Sequence, residues 1–92
     1  MATRKENTRT SAVWYVYILH CADSTLYTGI TTDVERRLHQ HNHTKTGAKY
    51  TRVRRPVNLV YQEQCESRSM ATRREYELKQ LSREEKINLI KA

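Results

Sequence analysis

The stretch WYVYILHCADSTLYTGITTD, from Trp14 to Asp33, decides the fold. Val13–Leu19 is an unbroken apolar and aromatic run of strand length. CADS (Cys21–Ser24) interrupts it with turn formers. A second strand follows at Thr25–Thr28, so the spacing predicts an antiparallel hairpin closed by a loop of about four residues. By the period-two rule Tyr15 and Tyr17 share one face of the first strand, with Trp14, Val16 and Ile18 on the other. A hairpin built only for packing would favour Val, Ile and Phe. This one carries tyrosine on both strands, Tyr27 standing two residues before Gly29, and two of these tyrosines are expected to line an active site.

Outward from the hairpin, Gly29 is expected to end the second strand. Thr32-Asp33-Val34-Glu35 matches the S/T-x-x-E capping box and predicts a helix from Asp33 to about Asn42. HTKTGAKYTRVRRP (His43–Pro56) reads as a polar, basic loop with a short extended piece around Lys49–Arg52. Pro56 introduces a third strand, Val57–Gln64. Ser67 or Ser69 caps a helix reaching about Leu81, and Ser82, with Glu85 three residues on, caps a last helix to Ile90. The order is β-β-α-β-α-α, an α/β (α+β) domain around three strands. One domain is expected over residues 12–92, preceded by a flexible basic tail at 1–11 (MATRKENTRTS).

Composition narrows the function. At 92 residues the chain fits one small domain, which buries only roughly 60–65% of its unfolded surface. Val13–Leu19, its longest apolar run, falls far short of the ~20 residues of a membrane span, and no charged-then-apolar leader opens the sequence. A cytosolic location with no membrane partner is the expectation. Cys21 and Cys65 form no C-x-x-C pair and no disulfide framework. Lys and Arg outnumber Asp and Glu by 17 to 10, giving a net charge of +7. The excess crowds into Lys45–Arg55 and Arg68–Arg83, which points to a polyanionic partner, nucleic acid above all.

Helical geometry then sorts the charged residues. At about 100° per residue, Val34, Leu38 and His41 fall on one stripe of the first helix with Arg37 beside His41, while Arg36 faces away. A guanidinium and an imidazole aimed together at a tyrosine-bearing sheet make a sensible phosphodiester site. On the next helix Met70, Ala71, Leu78 and Leu81 define the apolar stripe, with Arg74 near its centre and Glu75 at its flank. A carboxylate at such an edge suits a divalent cation that keeps most of its waters, although geometry does not choose Glu75 over Glu77 or Glu84. His39 and His43 are an i,i+4 pair, but no second ligand pair of finger-like spacing accompanies them.

These segments carry a resemblance. YVY (Tyr15–Tyr17) followed by YTG (Tyr27–Gly29), then TTDVERRLHQHN, GAKYTRVRRPV and REYELKQLSREEK, resemble the small single-domain branch of the GIY-YIG nuclease superfamily over Trp14–Ile90. The resemblance implies a GIY-YIG fold with a central three-stranded antiparallel sheet flanked by helices. It also implies kinship with the nuclease domain of excision-repair endonucleases. Tyr17 matches the first motif tyrosine and Tyr27 the second, proposed as the general base. Arg37 matches the helix arginine that stabilises charge on the phosphate, His41 a position able to relay the tyrosine proton, and Glu75 the metal-binding glutamate. One divalent ion, Mg²⁺ or Mn²⁺, is the implied cofactor. The pattern departs in three places: glycine is missing from the first motif, no lysine follows Gly29 closely, and Asn88 is the sole late asparagine.

The expected function is metal-dependent endonucleolytic hydrolysis of DNA, in repair or recombination, on branched or single-stranded substrates, RNA remaining open. Lys45, Lys49, Tyr50, Arg52, Arg54 and Arg55 are the expected nucleic-acid contacts. Two alternatives stand beside it. One is a binding module on a nuclease fold with little or no catalysis, using the Lys45–Arg55 loop as a clamp. The other is a domain recruited by a protein partner through Ile87, Leu89 and Ile90.

Overall fold

Three strands organise the computed structural model, which describes residues 13–92; the basic tail expected at 1–11 lies outside the described residues. β1 (Trp14–His20) is central, flanked by β2 (Leu26–Thr31) and β3 (Asn58–Cys65), both antiparallel to it. The helices are α1 (Val34–His43), α2 (Lys49–Arg52), α3 (Arg68–Gln80) and α4 (Arg83–Lys91). The α+β class and the central antiparallel sheet are as the sequence implied. No helix among the described residues is long and apolar enough to cross a membrane.

The alternation of β1 sets two faces. Val16 and Ile18 are fully buried with Ala71 and Leu78, and Trp14, Leu26, Ile30, Leu81, Leu89 and Ile90 pack around them. On the opposite face Tyr17 and Leu19 join Cys21 and Val57, with Tyr27, Leu38 and Leu59 against them. Helices α3 and α4 therefore cover one face and α1 the other. Each fully buried Ile, Val or Leu contributes about 1.5–3 kcal/mol. The register shifts between Ile18 and Leu19, leaving Val60 without a partner on β1. Val60 and Tyr61 consequently both pack into the α3–α4 cluster.

Several local expectations are corrected. Gly29 lies inside β2, paired with Tyr17, rather than ending the strand. The residue that caps α1 is Asp33, whose carboxylate accepts from the Arg36 amide at 3.0 Å. Thr32 does not serve there, because Thr31 and Asp33 already close the turn through the Thr31 hydroxyl at 3.1 Å. Lys49–Arg52 is a helical turn and not an extended piece: the Thr51 and Arg52 amides both donate to Ala48 O at 3.1 Å. Met70 is 51% exposed and leaves the stripe of α3 to Ala71 and Leu78. Ser67 is the cap of α3, and the Ser82–Glu85 capping box of α4 is complete in both directions.

Candidate active site

Gly29 makes the site possible. A Cβ there would lie 2.5 Å from the Tyr17 hydroxyl and 2.7 Å from its Cζ, so only glycine lets the phenol lie across β2. The need is space and not dihedral freedom, since neither glycine has positive φ. Gly47 plays the matching part on the other side. Its Cβ would meet Gln40 O at 2.6 Å and the His41 Cα at 2.8 Å. The loop can thus fold back on α1 and deliver α2.

With both approaches open, three side chains close into a buried chain. Tyr17 Oη lies 2.8 Å from His41 Nε2, and His41 Nδ1 lies 2.8 Å from Thr51 Oγ1. Thr51 donates its single hydroxyl proton to Ala48 O at 2.9 Å, so the network assigns the imidazole proton to Nδ1. Nε2 is then the acceptor, and Tyr17 is the donor. His41 and Thr51 are both fully buried.

Burial sets the protonation of this pair. It pushes Tyr17 up to about 12, reinforced by Tyr27 and, more weakly, by Glu75, while the Arg37 guanidinium pulls the other way. Burial also pushes His41 down to about 4, with the positive charges of Arg37 and Arg55 adding to the effect. At neutral pH both groups are uncharged, the tyrosine holding its proton and the histidine able to receive one.

The remaining candidates surround that hydroxyl. Arg37 is half-buried and anchored through Nη1, to Gln40 Oε1 at 2.9 Å and Thr46 O at 2.8 Å. Tyr27 presents its ring edge-on to His41, with centroids 5.3 Å apart. Glu75, on α3, is close enough for its charge to act weakly on Tyr17. Its side chain is 22% exposed, and its carboxylate lies 3.4 Å from Lys79 Nζ. Among the described residues no group of three or more His, Cys, Asp or Glu could hold a metal. Glu75 thus offers one protein oxygen donor, which fits an ion such as Mg²⁺ that takes one or two carboxylates and keeps its waters. His39 and His43 lie with ring centroids 4.7 Å apart, tilted at 38°, on the outside of α1.

The structure brings together Tyr17, Tyr27, Arg37 and His41, with Glu75 on α3 near enough for its charge to act weakly on Tyr17, and it divides the basic loop. Lys45, Lys49 and Arg52 are exposed. Arg55 is spent on the C-terminus of α1, donating to His41 O at 2.6 Å and to Gln40 O and Thr44 O. Arg54 pairs with Asp23 at 2.9 Å and lies over the Tyr50 ring. The imidazole hydrogen-bonds Tyr17, whereas its contact with Tyr27 is between rings. Sequence reasoning missed Thr51, which orients His41. It also missed Asn42, whose side chain pairs with Val57 N and O at 2.8 and 3.0 Å and starts β3. A four-residue helical turn has too little periodicity to announce Thr51.

This arrangement of two strand tyrosines, a helix arginine and histidine, and a glutamate on α3 is that of a nuclease-type domain. The family model described as the GIY-YIG catalytic domain matches residues 13–88, and the chain belongs to that family. It is 60% identical over 79 residues to a UPF0213 protein of Desulfotalea psychrophila, covering 86% of this chain and 72% of that one. A UPF0213 protein of Staphylococcus haemolyticus is 59% identical, covering 83% and 92%. Two solution NMR structures have the same fold. One is the UPF0213 protein of Bacillus halodurans (49% identity, TM-score 0.55, covering 86% of this chain and 83% of that one). The other is a protein of E. faecalis (43% identity, TM-score 0.57, covering 92% and 88%).

Proposed function

We propose that this protein is a metal-dependent endonuclease that hydrolyses DNA phosphodiester bonds, in repair or recombination. The observation that carries the reading is the Tyr17–His41 hydrogen bond, set among Arg37, Tyr27 and Glu75. Hydrolysis needs a proton acceptor for water, a cation at the phosphate and a way to spread the developing charge. Tyr17 passes its proton to His41 Nε2 while its oxygen takes a proton from the attacking water. The water oxygen bonds to phosphorus, the bond to the leaving oxygen breaks, and Arg37 stabilises the charge that builds on the phosphate oxygens.

The pair rests neutral for a reason. A histidine at about 4 is a weak acceptor, partly because Arg37 and Arg55 repel the imidazolium. A phosphate drawn to Arg37 offsets that repulsion, so the acceptor strengthens when substrate is in place. Glu75 would hold the divalent ion, which when bound supplies Lewis-acid polarisation. Tyr27 closes the site beside His41 as a second phenol. Lys45, Lys49 and Arg52 supply phosphate contacts along the loop.

End-labelled single-stranded, duplex, flap and branched DNAs test this, incubated with Mg²⁺ or Mn²⁺, with EDTA, and with the Glu75→Ala protein. Cutting that EDTA and Glu75→Ala both abolish is the expected result, with Tyr17→Phe reducing it more than Tyr27→Phe. No cutting, with equal salt-sensitive binding by both proteins, would leave a binding domain on a nuclease fold and overturn the catalytic reading.

A further inference from the structure

The arginine that follows α2 is engaged at both ends. Arg54 donates from Nε to Asp23 Oδ2 at 2.9 Å and from Nη1 to the Tyr50 carbonyl at 2.9 Å. Its guanidinium carbon lies 3.8 Å from the centroid of the Tyr50 ring. Tyr50 in turn stacks on Tyr27, with centroids 5.8 Å apart and planes at 26°. The backbone reinforces the link, Ala22 N–H donating to Arg54 O at 2.9 Å. Asp23 is itself fixed by Thr25, from the amide at 3.1 Å and the hydroxyl at 2.6 Å. Contacts therefore run without a break from the hairpin turn, through Arg54 and Tyr50, to the Tyr27 ring beside His41.

We propose that Asp23, Arg54 and Tyr50 form a brace that positions Tyr27, and that Arg54 and Tyr50 are not nucleic-acid contacts. Three observations favour this over a clamp. The Asp23 carboxylate at 2.9 Å neutralises Arg54 and repels an approaching phosphate. The Tyr50 ring, 37% exposed, already has Arg54 over it and Tyr27 stacked against it, and a base would have to compete with both. Tyr27 stands on the edge strand β2, where its half-buried phenol needs a lateral support to hold one orientation. A planar guanidinium serves here because it stacks and donates in two directions at once, which an ammonium cannot do. The functional consequence rests on the nuclease reading above, whereas the brace itself does not.

Asp23→Asn separates the two roles because they give effects of opposite sign. If Arg54 contacts phosphate, weakening its carboxylate partner raises DNA affinity and leaves turnover intact. If Arg54 braces Tyr27, kcat falls by about ten-fold while KM holds, as small displacements of a site group do, and the Tyr27 ring resonances in ¹³C-tyrosine NMR move. Tyr50→Leu should act like Asp23→Asn, Tyr50→Phe should restore most of the loss, and Arg54→Lys should not replace Arg54. The proposal is overturned if the Tyr27 resonances stay put in both Asp23→Asn and Tyr50→Leu. It is equally overturned if Arg54→Ala flattens the log–log salt dependence of duplex binding by roughly 0.9, the signature of one lost phosphate contact. Should the wild-type protein cut no DNA, the nuclease reading falls by itself, and the NMR comparison still decides the brace.

Discussion

On one face of β1, Val16 and Ile18 meet Ala71 and Leu78 as hydrocarbon against hydrocarbon. On the other, one residue along, Tyr17 meets His41, and His41 meets Thr51, through hydrogen bonds of 2.8 Å each. Both faces are buried, and they spend burial differently. The first uses a non-directional force roughly proportional to area, so it tolerates change in shape and punishes loss of volume. The second desolvates three polar side chains, and its net gain is small because bonds to water are exchanged for bonds within the protein. What it secures is direction: a phenol, an imidazole and a hydroxyl held in one order. Most of the apolar burial lies on the α3–α4 face, and the buried chain of polar side chains lies on the α1–α2 face.

The largest effect should come from opening the apolar face. Leu78 is fully buried, and Leu78→Ala should cost ~2–5 kcal/mol by lost transfer energy and an unfilled cavity. Urea unfolding measures it. The imidazole resonances of His41 should remain as in the wild type, since that ring lies on the far side of the sheet.

Between pH 7 and pH 4 acid should act chiefly through His41. His41 is depressed from 6.5 to about 4 in the folded chain, so the unfolded chain takes up its proton first. Stability from this residue is complete above 6.5 and is lost as pH falls from there to about 4. The loss should be roughly 3 kcal/mol. Urea midpoints from pH 7 to pH 4 measure it, and His41→Gln should flatten that part of the profile. A profile equally steep in His41→Gln would place the acid sensitivity elsewhere.

Tyr17→Phe is a smaller and sharper cut. It removes the hydroxyl, leaves His41 Nε2 buried without its donor, and should destabilise by ~1–3 kcal/mol. His41 should then titrate differently by NMR, which Leu78→Ala should not cause. Equal stability of Tyr17→Phe and wild type would mean that water replaces the phenol as the donor to His41 Nε2.

The two faces also differ in how well the sequence announces them. Alternation assigned Tyr17 and Val16 to opposite sides, and helical spacing put Leu38 and His41 toward the sheet and Arg36 away from it, all as found. These are local periodicities. Contacts set by strand register and loop path were harder to read. The pairing of Tyr17 with Gly29 decides that the first tyrosine reaches His41, which the motif spacing leaves open. Arg54 and Arg55 look alike as neighbours in a basic run, yet one meets Asp23 across the hairpin turn and the other caps α1. Met70 fits the apolar stripe of α3 on a helical wheel but stands 51% exposed in the first turn of the helix.

One residue breaks the division between the faces. Thr28 stands opposite Ile18 on β2, so its side chain belongs to the apolar face, and it is only 4% exposed. Its hydroxyl is buried with no hydrogen-bond partner among the described residues. An unpaired buried hydroxyl carries a desolvation cost with no compensating bond. Valine has nearly the same shape without that cost, so Thr28→Val should stabilise by about 1 kcal/mol, visible as a higher urea midpoint with an unchanged slope. The Tyr17–His41 bond lies across the sheet, so the titration of His41 should not move. A loss of stability would instead reveal a partner for the hydroxyl, such as a buried water, and the α3–α4 face would then hold a fully buried polar contact beside its half-buried Tyr61–Glu63–Arg74 one.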